Sequence, residues 1–134
     1  MTLPTTETLK LERSGPFLHI PLNRPDSRNA MSLAMVDELL AVFDAVEADA
    51  AIRALVLRGA DGHFCAGGDI KDMSGARQKA ADGEPDAFFH LNRRFGEMIA
   101  RANELSVTVV AVLEGAVMGG GFGLACVTDI ALTA

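Results

Sequence analysis

The sequence predicts an α/β fold carried by buried parallel strands, and three observations predict it. Two apolar runs, Ala54-Leu55-Val56-Leu57 within residues 51–59 and the β-branched stretch 107–113, carry the mark of strands covered on both faces. Each run ends in a glycine-dense turn that leads into a helix. Apolar residues at helical spacing fill the intervals before and between the two strands.

In order along the chain, Leu9 and Leu11 alternate with Lys10 and Glu12, and Leu18, Ile20 and Leu22 alternate with their neighbours. Ser14-Gly15-Pro16 supplies turn chemistry between them, so residues 7–22 read as a β-hairpin. Pro21 has no N–H for a ladder, which places the second strand at an edge or a bulge. Residues 23–31 form a polar loop holding Arg24 and Arg28, either solvated charges or partners for a ligand phosphate. From Ser32 to about Glu47, Leu33, Val36, Leu39, Leu40, Phe43 and Val46 define one face of an amphipathic helix with Ser32 as its N-cap.

The strand over residues 51–59 then enters His63-Phe64-Cys65-Ala66-Gly67-Gly68-Asp69-Ile70-Lys71-Asp72-Met73, with Asp69 placed to cap a helix. Gly67 and Gly68 let a ligand approach the main chain, and the backbone N–H groups there lack an internal partner. The plainer reading is an ordinary capped strand-to-helix connection. Residues 74–86 show little periodicity and are expected to form a mobile loop beside the site. Phe88, Leu91, Phe95, Met98, Ala102 and Leu105 mark the core face of a second long helix.

Strand 107–113 leads into Glu114-Gly115-Ala116-Val117-Met118-Gly119-Gly120-Gly121-Phe122-Gly123 and a helix over residues 121–127. The third glycine that G-x-G-x-x-G requires falls on Leu124, and no Gly-Lys-Ser/Thr loop occurs, which disfavours a nucleotide-binding domain. A third apolar run occupies residues 129–134; stopping inside it would leave a bare strand edge, as in a fragment or a chain that needs a partner.

One domain's worth of chain, 134 residues with 49% hydrophobic and 22% charged, suits a soluble globular protein. A net charge of -6 and scattered Lys and Arg argue against a nucleic-acid surface. No apolar run reaches the roughly 18–20 residues of a membrane span. Without a secretory leader pattern the expected location is the cytoplasm, where Cys65 and Cys126, lacking metal-ligand spacing, would stay reduced.

Two glycine turns of one kind, each after a buried strand, would form an oxyanion site if their N–H groups met on one atom. Each such donor is worth about 3–4 kcal/mol in a transition state. No general base stands out nearby. Asp69, Asp72, Glu114 and Asp129 are the carboxylates near the turns; His63 reads as structural or solvent-facing, and Cys65 as a small inert thiol.

Three linked motifs carry a family resemblance: Leu22-Asn23-Arg24-Pro25 with Asn29-Ala30; Phe64 to Met73; and Gly115 to Ala125 with Asp129. In order and spacing they resemble the crotonase (enoyl-CoA hydratase/isomerase) family, across essentially all of residues 1–134 but only the N-terminal part of a family member's core domain. The resemblance implies a ββα spiral, here truncated, trimers or dimers of trimers, and an acyl-CoA substrate. Coenzyme A is expected as part of that substrate, with no separate cofactor or metal. It places the oxyanion-hole N–H groups on Gly68 and Gly120 and the substrate path along Ala66, Gly68, Asp69, Ile70 and Lys71. Lys71 would meet a CoA phosphate or remain solvated, and Arg24 or Arg28 would serve the adenosine end.

One departure stands out. Many hydratases of the family have glutamate where this chain has Gly123, and pair it with a second about twenty residues on, beyond Ala134. Two carboxylates suit hydration and one suffices for an isomerase, so both reactions stay open. Residues 56–73 with 119–126 are most similar to the isohexenylglutaconyl-CoA hydratases of bacterial acyclic-terpene degradation, a group that also lacks the first glutamate. A non-catalytic CoA-binding fragment is the alternative from another class.

Overall fold

The computed structural model describes residues 2–133; Ala134, the end of the third predicted apolar run, lies outside them. Five strands form one sheet in sequence order: β1 (Glu12–Ser14), β2 (Phe17–Leu22), β3 (Ala54–Gly59), β4 (Thr108–Leu113) and β5 (Ile130–Thr133). β1 and β2 make the antiparallel hairpin, and every later pair is parallel. Parallel neighbours need long crossovers, which here carry four helices: α1 (Leu33–Glu47), α2 (Ile70–Ala81), α3 (Ala87–Glu104) and α4 (Gly120–Cys126).

Pro21 corrects the edge-or-bulge expectation. β2 is an inner strand, with Pro21 opposite Arg58 of β3, and the hairpin register runs unbroken from Glu12–His19 to the Leu9–Leu22 bridge. The Pro21 carbonyl accepts from Lys10 N–H at 3.0 Å, so its ring nitrogen faces the hairpin side too. The Lys10–Pro21 pair thus keeps one of its two hairpin bonds and loses the other, and the bonding to β3 is untouched.

The core lies on one face of the sheet. Leu18, Ile20, Leu22, Leu55, Leu57, Val109 and Ala111 pack there with Met35, Leu39, Val42 and Phe43 of α1 and Met98 and Ala102 of α3. Leu39 is wholly buried, worth about 1.5–3 kcal/mol of transfer free energy. β3 and β4 are thus covered on one face rather than both. Val56, Val110 and Val112, on the opposite face, are half-buried, and Ile130 and Leu132 of β5 are exposed. Both long helices pack on the same side, and that leaves the other open among the described residues.

Two further expectations are corrected. Residues 74–81 continue α2 instead of opening a loop. Ala76, Arg77, Gln78, Lys79, Ala80 and Ala81 are strong helix formers, and only Ala76 is buried, so propensity sustains the helix without an apolar stripe. The stripe on α3 divides: Met98 and Ala102 are core with Phe95 and Leu105 packed against it, Phe88 is exposed, and Leu91 and Phe95 line a cavity. Ser32 caps α1 as expected, its hydroxyl accepting from Met35 N–H at 3.1 Å. Ion pairs Arg94–Asp37 and Arg101–Asp44 fasten α3 across α1.

Candidate active site

Three short segments, 28–31, 64–69 and 116–118, lie side by side and bring distant glycines together. Ala66 N–H donates to Arg28 O (3.1 Å), Met31 N–H to Gly67 O (2.6 Å) and Asp69 N–H to Met31 O (3.0 Å). On the other side Cys65 N–H donates to Ala116 O and Met118 N–H to Cys65 O, both at 3.0 Å. The close approach depends on glycine: a Cβ on Gly121 would stand 2.5 Å from Cys65 O and 2.6 Å from Cys65 Cβ.

These bonds orient two peptide planes. A trans peptide holds its C=O and N–H antiparallel. With Gly67 O turned to Met31, Gly68 N–H points away from that segment. Gly119 O accepts from Gly123 N–H at 3.0 Å inside α4, so Gly120 N–H points out of the helix start. Neither Gly68 N–H nor Gly120 N–H donates to any acceptor among the described residues. Both glycines line one cavity of about 220 Å³, whose walls are Met31, Leu33, Val36, Met73, Leu91 and Phe95, with Asp69, Asp72 and Asn92 at its polar margin. Such a pair of fixed donors in an apolar cavity can hold a single anionic oxygen.

A second cleft, about 680 Å³, opens from the same glycine. Ala66, Gly68, Asp69, Ile70 and Lys71 line one side and residues 23–27 with Ala30 the other. Ile70 is 75% exposed and Lys71 is exposed, both on the first turn of α2. Asp69 differs from its neighbours. It is buried, its Oδ2 caps α2 by accepting from Asp72 N–H (3.0 Å), and its Oδ1 pairs with Arg24 Nη2 (3.0 Å). Arg24 is held further by donating to Ala30 O at 2.6 Å. Arg28 is exposed, in the left-handed region at φ 52, and its side chain lines neither cavity.

Nearby carboxylates already have partners. Asp72 Oδ2 accepts from Leu33 N–H (2.6 Å), Asp129 Oδ2 from Val109 N–H (2.7 Å), and exposed Glu114 faces Arg58 at 3.7 Å. His63 is structural, its Nδ1 accepting from Ala116 N–H at 2.9 Å. Cys65 is wholly buried, and burial pushes its thiol pKa up, the opposite of an activated nucleophile. Among the described residues no group of three His, Cys, Asp or Glu could hold a metal, and no helix is long and apolar enough to cross a membrane.

Asn29 carries more than its place in a motif suggested. Wholly buried at φ 58, it accepts from Arg24 N–H (2.8 Å) and donates to Ala60 O (3.0 Å) and His63 O (2.6 Å), tying the 23–31 loop to the first glycine turn. Asparagine's tolerance of left-handed backbone was the available sequence signal.

Comparison with known proteins adds an independent line. The family pattern described as enoyl-CoA hydratase/isomerase matches residues 17–133. The solved structure of Pseudomonas aeruginosa AtuE superposes with a TM-score of 0.89 at 61% identity, over 96% of this chain and 48% of that one. Enoyl-CoA hydratase EchA19 of Mycobacterium tuberculosis is 32% identical over 90% of this chain and 44% of its own length. Human mitochondrial Delta(3,5)-Delta(2,4)-dienoyl-CoA isomerase is 34% identical over 84% of this chain and 36% of its own. The chain thus spans less than half the length of each.

Proposed function

The chain belongs to the enoyl-CoA hydratase/isomerase family, and from that premise we propose that it forms the thioester-binding, oxyanion-stabilising part of an enoyl-CoA hydratase. One observation carries this reading: the two glycines whose N–H groups lack a partner, Gly68 and Gly120, line one apolar cavity. In the proposed reaction a 2-enoyl-CoA ester sets its carbonyl oxygen between them. Water oxygen bonds to C3 as one of its protons passes to a carboxylate base, the double-bond electrons pass to the thioester oxygen, and the enolate returns them as C2 takes a proton from the carboxylic acid. The charge that develops on that oxygen is what the two donors favour, at about 3–4 kcal/mol each.

The CoA moiety would follow the longer cleft past Ala66, Asp69, Ile70 and Lys71, with the Lys71 ammonium reaching a phosphate; Arg28, exposed and outside that lining, would serve the adenosine end only where it leaves the cleft. Asp69 would contribute its backbone, since its carboxylate is already paired. The acid–base carboxylate would come from the part of the family length that this chain does not span. Homotrimers or dimers of trimers, in the cytoplasm, belong to the same reading, and light scattering of the full-length protein tests the assembly.

We extend the proposal to a branched, glutaconyl-type thioester, of the kind met in acyclic-terpene breakdown. At Gly123, where many hydratases have glutamate, a Cβ would touch only Phe95 Cζ, at 3.9 Å, and Phe95 lines the cavity. The substrate's own carboxylate would occupy that room. Equal hydration rates for crotonyl-CoA and a glutaconyl-CoA analogue would remove this extension. Isomerisation is the second reading, favoured by the same missing side chain at Gly123 and by the similarity to a dienoyl-CoA isomerase. Product analysis with a panel of enoyl-CoA esters separates the two: a hydroxyacyl product supports hydration, a migrated double bond supports isomerisation, and neither rejects both.

A further inference from the structure

We propose that Arg24 is a positioning residue for the Gly68 donor, acting through Asp69; this rests on the reading that Gly68 N–H holds the thioester oxygen. Gly67 and Gly68 have no side chains, and Gly67 sits at φ +106, so nothing within the pair itself fixes the direction of the peptide between them. That direction is set by the anchors on either side. Before it, Gly67 O is held by Met31 N–H. After it stands Asp69, whose three bonds lead to the two ends of the 23–31 loop and to α2: N–H to Met31 O, Oδ1 to Arg24, and Oδ2 to the start of α2.

Arg24 is itself fixed. Its N–H donates to Asn29 Oδ1, its carbonyl accepts from Asn29 N–H at 2.9 Å, and one guanidinium arm grips Ala30 O. The other arm meets an Asp69 side chain that is only 8% exposed. A charge-assisted bond this sheltered is stronger and more directional than a surface pair. The guanidinium also turns to the same loop segment, 29–31, whose Met31 holds Gly67, so one cation ties together both anchors of the Gly68 peptide. The competing role for Arg24, which lines the long cleft, is as a direct ligand of a CoA phosphate.

The test uses the full-length protein and the carbonyl stretch of a bound ¹³C-labelled acyl-CoA ester, with kcat and the acyl-CoA Kd. In the wild type the band is expected to move to lower frequency on binding; if it does not, the oxyanion reading fails and this proposal falls with it. In Arg24→Met the band should return toward the free-ester position and kcat should drop roughly tenfold to a hundredfold, with Kd changed less than about threefold. Arg24→Lys, which keeps the charge without the fork, should recover part of the shift. Asp69→Asn preserves the N-cap but not the ion pair, and should match Arg24→Met; it carries the test if Arg24→Met does not fold. A wild-type band position with weakened CoA binding would mark Arg24 as a phosphate ligand and overturn the proposal. So would unchanged values throughout.

Discussion

Gly121→Ala probes the contact on which the two glycine turns depend. A methyl there would lie 2.5 Å from Cys65 O and 2.6 Å from Cys65 Cβ, where ordinary contact begins near 3.4 Å. The shortfall is about 0.9 Å, and both atoms belong to Cys65, wholly buried and held by its N–H and carbonyl bonds to the 116–118 segment, so no flexible chain end can yield. Relief requires α4 to move away from the 64–69 segment, carrying Gly120 from Gly68 by a similar distance. Overpacking of this kind costs about 1–3 kcal/mol of stability. A displacement near 1 Å at a reacting centre costs up to about a hundredfold in rate. Thermal melting and steady-state kinetics of the full-length protein, with the labelled-carbonyl spectrum, measure both parts. A variant that melts like the wild type and turns over at the same rate would refute the reasoning, because the turns would then not be in contact as described.

Asn29→Ala strips partners from Ala60 O, His63 O and Arg24 N–H and leaves a left-handed residue without its usual excuse; urea titration should show a loss of about 3–5 kcal/mol. Ser32→Ala removes the α1 cap to Met35 N–H and should cost about 1 kcal/mol by the same measurement. Cys126 is exposed and Cys65 buried, so a maleimide should label one thiol in the native protein and two in denaturant. Burial raises the Cys65 pKa, so the folded state favours the neutral thiol. Its contribution to stability is complete below the unfolded thiol's value of about 8.5 and is lost as pH rises through the folded one. Melting temperatures of wild type and Cys65→Ala should therefore converge as the pH is taken above about 8.5.

Much of the fold was legible locally. The hairpin followed from alternation and Ser14-Gly15-Pro16, α1 from its apolar spacing and Ser32, and the start of α2 from Asp69. Residues 74–81 are helical through local propensity without an apolar stripe, since α2 buries only Ala76; elsewhere a longer-range fact decides. Pro21 sits inside the sheet because its ring nitrogen faces β1's extension at Lys10, where one bond is forgone, and not β3, which only the pairing reveals. Leu91 and Phe95 share the α3 stripe with core residues, yet both line the cavity beside Gly68 and Gly120, Phe95 with its other side on the core.

By itself the sequence determined that two glycine-dense turns after apolar strands would carry free N–H donors, and the family resemblance, not the local pattern, put them on Gly68 and Gly120. Only the tertiary structure decided that both glycines line one cavity, that Arg24 bonds Ala30 O and the Asp69 carboxylate, and that Asn29 is buried against the backbone of Ala60 and His63. The reason is physical. Local propensities act over a few residues, whereas the direction of a peptide plane at Gly68 is fixed by bonds to Met31, and its neighbour Cys65 is fixed by bonds to a segment some fifty residues further along the chain.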